Sequence, residues 1–175
     1  MKSIKIATIA AAVSLFSVAS VQAAPTGTVT FTGAVTTATC DTSITVGGVP
    51  TPSGQVNVGS VAPSATGTAV TFEIVSENVG GGVCTASGTA DVYWSSASMS
   101  AVGIDNHTGS AVGSHVVLTS APTSGPAVAI TAANTQAAFP NADVVGSGMP
   151  FTAQLVGGAT AGNYYSTATY NVVYN

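Results

Sequence analysis

The sequence predicts an all-β chain, closed into a sandwich or a barrel, on three observations. From Gly27 onward the chain is built of Val, Thr, Ala, Ser and Gly with scattered Pro, a strand composition. Almost no run has the spacing or the long straight side chains that a helix prefers. Short alternating or β-branched segments recur between clusters of Gly, Pro, Asn and Ser, the pattern of many short strands joined by tight turns.

Taken in order, the expected strands are residues 27–37, 43–46, 55–61, 68–75, 90–96, 112–119, 127–131, 150–156 and 164–174. In the first, Val29, Phe31, Gly33 and Val35 fall on one face while Thr28, Thr30 and Thr32 fall on the other. Residues 43–46, 55–61 and 68–75 are β-branched runs bounded by Gly and Pro, and 90–96 carries Tyr93 and Trp94. Residues 112–119, 127–131 and 150–156 repeat the pattern. In the last segment Ala168, Tyr170, Val172 and Tyr174 share a face. A terminal strand ending at Tyr174 has no following hairpin partner, so its sheet leaves an edge open or pairs it with another molecule. No fixed-period repeat and no dividing linker is visible. The β-branched and aromatic content argues against disorder.

The first 23 residues have the layout of an export signal. Lys2 and Lys5 supply the positive start, residues 6–18 an apolar run of 13 residues, and Val21-Gln22-Ala23 a small-residue cleavage pattern. The run is shorter than the roughly 20 residues a membrane span needs. Cleavage after Ala23 leaves residues 24–175, which is 152 residues, the size of one domain.

Removing that segment removes both basic residues of the chain. Asp41, Glu73, Glu77, Asp91, Asp105 and Asp143 then stand unopposed, a formal charge of −6. Neither nucleic acid nor an anionic lipid surface is an expected partner of such a chain. Without lysine it cannot form Lys-Asn isopeptide links, so any polymer it makes is held by non-covalent packing. Cys40 and Cys84, in a chain addressed to an oxidising compartment, are expected to form a disulfide. Closing a loop of about 45 residues contributes roughly 4 kcal/mol in the chain-entropy description.

Several motifs together resemble the type 1 and P fimbrial subunits, which a periplasmic chaperone and an outer-membrane usher assemble. They are Gly27-Thr-Val-Thr-Phe-Thr-Gly33 leading through Thr36-Thr-Ala-Thr to Cys40, the second cysteine Cys84, Val102-Gly-Ile-Asp105 followed by Thr108-Gly109, and Pro150-Phe151-Thr-Ala-Gln-Leu155. The terminal pattern matches most closely: a penultimate tyrosine, Tyr174, with a glycine fourteenth from the end, Gly162. One departure is the long stretch between Phe72-Glu-Ile74-Val75 and Cys84, which the family keeps short.

The resemblance implies an incomplete immunoglobulin-like sandwich, completed by a donor strand from a neighbouring subunit. It divides the chain into a signal peptide (1–23), an N-terminal donor-strand extension (24–39) and a pilin domain (40–175). Val29, Phe31, Gly33 and Val35 become the donor residues. Gly162, Tyr170, Val172, Tyr174 and the carboxylate of Asn175 become the groove-edge and chaperone-facing residues. Implied partners are identical or related subunits, the chaperone and the usher, on a route through the periplasm to the cell surface. A shaft subunit repeated many times is favoured by the short polar surface. A minor adaptor, or a tip adhesin binding a host glycan, is the alternative, although 152 residues leave no room for an added receptor domain.

Catalytic chemistry is not expected. His107 and His115 lie eight apart with Asp105 near the first, without a third well-spaced ligand for a metal. No serine sits in a Gly-x-Ser-x-Gly elbow. Gly80-Gly81-Gly82 lacks the Lys-Ser or Lys-Thr of a phosphate loop. Asn106-His107-Thr108 matches a glycosylation sequon, which so short a pattern does often by chance. Tyr93, Trp94, Tyr164 and Tyr165 have the rings to stack on a sugar, but the expected place of Trp94 is the core or its rim. No cofactor is expected.

Overall fold

A computed structural model of the 175-residue chain describes residues 40–78 and 88–175. The leader with Val29, Phe31, Gly33 and Val35, and the second cysteine, Cys84, lie outside the described residues.

The fold is an all-β, immunoglobulin-like sandwich in which every strand pair is antiparallel. Its elements are β1 (Cys40–Val46), β2 (Val49–Pro50), β3 (Val70–Asn78), β4 (Ala90–Ser95), β5 (Ile104–Asp105), β6 (His115–Ser120), β7 (Ala129–Ile130), β8 (Gln136–Phe139), the short helix α1 (Asn141–Val145), β9 (Met149–Val156) and β10 (Thr169–Tyr174). One sheet runs β2-β1-β3-β9-β6-β5, with β7 also paired to β6. The other runs β10-β4-β8.

Period-two alternation builds the core between them. Along β9, Met149, Phe151, Ala153 and Leu155 are buried while Pro150, Thr152, Gln154 and Val156 are half-buried. Pro150 is tolerated near the start of this central strand, where a missing N–H costs least. On β3, Phe72 and Ile74 are buried, and on β4, Ala90, Val92 and Trp94. Phe72 stands opposite Phe151, and their rings stack at 5.7 Å. Trp94 meets both edge-on, at 6.2 Å and 5.3 Å, so one aromatic cluster ties β4 of the small sheet to β3 and β9 of the large one. Edge-on pairs add about 0.5–1.5 kcal/mol each beyond their buried area.

The predicted strand at 55–61 is not one. Val56, Val58 and Val61 are half-buried against the core, which explains the alternation, but the segment has no ladder partner among the described residues. The Asn57 side chain accepts the Gly59 N–H at 2.9 Å, and Gly59 takes φ +74°, so a local side-chain turn interrupts the extended run. The last predicted strand starts at Thr169 rather than 164, because Tyr164 and Tyr165 are pinned to another loop. Similarly, β6 begins at His115, after a turn in which Ser114 Oγ donates to Ala111 O at 2.7 Å.

Candidate functional site

The final strand, β10, lies at the margin of the three-stranded sheet. Its residues pair with β4 in the register Tyr170 with Trp94, Val172 with Val92 and Tyr174 with Ala90. Its other edge has no strand partner among the described residues. Inward it presents Val172, buried, and Tyr170 and Tyr174, half-buried. The half-buried apolar side chains around the core include Cys40 and Val46 of β1, Val56, Val58 and Val61 of the unpaired segment, and Ala168, Tyr170 and Tyr174 at β10. A cavity of about 220 Å³ opens beside β10, lined by Cys40, Asp41 and Thr42 from β1 and by Tyr170, Asn171, Val172 and Tyr174.

Two hydroxyl contacts cross from β10 to the opposite sheet. Tyr170 Oη lies 3.1 Å from Thr42 Oγ1, and Tyr174 Oη lies 2.8 Å from Ser76 Oγ. Thr42 and Ser76 are directly opposite each other in the β1–β3 ladder. The next inward pairs along that ladder are apolar, Ile44 with Ile74 and Val46 with Phe72. The two phenols therefore converge on one polar rung at the rim of an apolar floor. Burial raises the Tyr174 pKa, and the nearby Tyr170 and Asp41 add to the rise, while the Ser76 hydrogen bond opposes it. The phenol stays neutral and bonded at physiological pH. Sequence reasoning missed Thr42 and Ser76. The available signal is their parity, since both are polar residues in phase with core positions, and buried polar groups need a partner.

The approach to β10 is held by a second arrangement. Asn106 Nδ2 donates to Ala111 O at 2.9 Å and to Asn163 O at 3.1 Å. Its Oδ1 accepts from Gly109 N at 3.0 Å and from Tyr165 N at 2.9 Å. Asn106, read above as part of a sequon, thus clamps the loop after β5 to the chain entering β10. Gly162 belongs to this clamp and lies ahead of β10. A Cβ there would overlap Ser110 Oγ and stand 2.6 Å from Ala111 N. The glycine is required by close backbone approach. Tyr164 Oη donates to Ile104 O at 3.0 Å, and burial pushes its pKa up to about 12.

Asn175 is exposed at the end of β10. Its N–H donates to Thr89 O at 2.9 Å and its Nδ2 to Asp91 Oδ2 at 3.0 Å. Its carbonyl lies over Gly88, at φ +135°, where any side chain would collide with it. Away from β10, Asp105 faces His115 across the β5–β6 ladder and His107 is exposed. Among the described residues no group of three His, Cys, Asp or Glu is placed to hold a metal ion, and no helix is long and apolar enough to cross a membrane. Tyr93 is on the outer face of β4, and Tyr165 is exposed beside His107.

No family model matches the sequence. A curated relative does: the F107 fimbrial protein of Escherichia coli is 34% identical over 149 residues, covering 85% of this chain and 86% of its own length. The chain belongs to the fimbrial protein family. In this member of the family the outer edge of β10 has no strand partner among the described residues, and half-buried apolar residues gather beside it.

Proposed function

We propose that this chain is a structural subunit of a bacterial surface fimbria, polymerised by donor-strand exchange and serving adhesion rather than catalysis. The observation that carries the reading is the unpartnered edge of β10 among the described residues, flanked by half-buried apolar side chains. An extended segment added there satisfies a row of backbone N–H and C=O groups and covers those side chains. In this reading the leader, residues 24–39, of one copy completes the sandwich of the next. Burying Val29, Phe31 and Val35 would gain roughly 5–9 kcal/mol, and Gly33 would suit a place too shallow for a side chain.

Before assembly a periplasmic chaperone covers the same edge through Tyr170, Val172, Tyr174 and the carboxylate of Asn175, and an outer-membrane usher exports the subunit. Residues 1–23 direct the chain to the periplasm, where Cys40 and Cys84 are oxidised to a disulfide. A shaft subunit is the reading favoured by a surface that carries no Lys or Arg once residues 1–23 are removed.

The test is deletion of residues 24–34 with the signal retained. Cells carrying the deletion export the protein but show no fibres by electron microscopy, whereas cells with the full chain show them. Normal fibres from the deleted chain overturn the donor assignment.

A further inference from the structure

We infer that Tyr170 and Tyr174 act as paired struts that hold the open side of the sandwich at full width, with the polar rung Thr42–Ser76 as their common footing. The inference rests on the reading of β10 as an acceptor edge and assigns two residues to keeping that edge receptive. Packed sheets stand about 10 Å apart, and inside most of this sandwich the gap is filled by side chains from both faces. Trp94, Phe72 and Phe151 fill it at the centre. At the margin beyond β10 there is no further strand among the described residues to supply such filling.

The two tyrosines span the gap instead. Each starts on β10 and reaches a hydroxyl on the opposite sheet, at 3.1 Å for Tyr170 and 2.8 Å for Tyr174. Tyr170 is also braced by the Trp94 ring, at a centroid distance of 5.5 Å. They are four residues apart on β10 yet land on directly opposed residues of β1 and β3, so they lean together over the buried Val172. Two rigid rings in this arrangement resist both closure and shear of the sheets. A shorter apolar residue would let the margin collapse onto the core, as apolar surface does when nothing holds it open.

Length and rigidity are the essential properties here, and the hydroxyl bonds fix where the rings land. The alternative, that the hydroxyl bonds are latches keeping the margin closed, makes the opposite prediction for removing the hydroxyl alone.

The experiment uses the full chain with spin labels, introduced as unnatural amino acids, at Glu77 and Asn171. These positions are exposed on strands of opposite sheets. A chain carrying Tyr170→Leu and Tyr174→Leu should show a label distance shorter by about 2–4 Å out of the sheet spacing. Tyr170→Phe with Tyr174→Phe should leave it unchanged. Uptake of a synthetic peptide of residues 27–37 should slow about tenfold in the leucine chain and stay within about threefold in the phenylalanine chain, inside the range that on-rates of one interface span.

An unchanged distance in a folded leucine chain overturns the inference, as does faster uptake by the phenylalanine chain. If the leucine chain does not fold, Thr42→Ala with Ser76→Ala decides: both struts keep their length, so a contracted margin overturns the proposal and an unchanged one supports it. If the distances follow the strut pattern while no chain, wild type included, takes up peptide, the struts stand and the assembly reading fails.

Discussion

Replacing Asn106 by alanine should loosen the approach to β10 and destabilise the domain by an amount the hydrogen bonds allow one to work out. Four bonds are lost, but their ends are not equally exposed to the loss. Ala111 O keeps Ser114 Oγ at 2.7 Å, and Asn163 O keeps the Ala111 N–H at 3.1 Å. The Gly109 and Tyr165 N–H groups lose the acceptor they share. Two net bonds at about 1 kcal/mol each give a loss of about 2 kcal/mol. For a chain of this size that lowers the melting temperature by about 4–8 °C, readable by circular dichroism together with a urea midpoint. Asn106→Asp sharpens the test. The carboxylate keeps both acceptor contacts but turns an oxygen toward two carbonyls, which raises its folded-state pKa above the unfolded value. Its penalty is therefore absent well below the unfolded pKa and grows as pH rises through the carboxylate range. A melting temperature within about 1 °C of wild type for Asn106→Ala refutes the clamp, since that corresponds to well under one net hydrogen bond.

Two further outcomes follow from the same region. Gly162→Ala meets Ser110 Oγ and the Ala111 backbone, so it should destabilise by about 1–3 kcal/mol as an overpacked site does, measured by urea unfolding; a neutral result removes the close-approach role. Tyr164 should titrate near 12 while an unfolded tyrosine titrates near 10, by ultraviolet absorbance. Because its folded pKa is raised, its contribution to stability is complete below the unfolded value and is lost as pH rises between the two, a loss that Tyr164→Phe should remove.

The strands most fully legible in the sequence are those whose alternation continues for six residues or more, whereas of β1 only residues 43–46 were expected. Met149–Val156 buries every second residue, and His115–Ser120 and Ala90–Ser95 do the same. Period two reports a half-buried extended chain, however, and not a ladder partner. Residues 55–61 show the difference, with Val56 and Val58 turned to the core but no paired neighbour among the described residues. The strand Gln136–Phe139 escaped notice because its two alanines carry little hydrophobic signal, although Ala137 and Phe139 are buried. β5, of two residues, is too short to show a period, and of the strand expected at 127–131 only the two residues of β7 are in the ladder. At the candidate site, Tyr170, Val172 and Tyr174 were visible as one face of a strand. Their partners Thr42 and Ser76 were not, because the crossing of two sheets is decided by the whole core. Gly162 was noticed for its distance from the end, while its physical reason lies in the loop of Ser110 and Ala111.

The margin of β10, bare among the described residues, also has a cost. Its six residues, Thr-Tyr-Asn-Val-Val-Tyr, include no lysine, no proline and no charge, the devices by which sheets discourage stray pairing. A row of backbone N–H and C=O groups pairs with an extended chain whatever its side chains, so such an edge does not by itself tell one partner strand from another. Under the proposed assembly, selectivity would then rest on the side chains beside the strand and on whatever covers the edge before a neighbouring copy does.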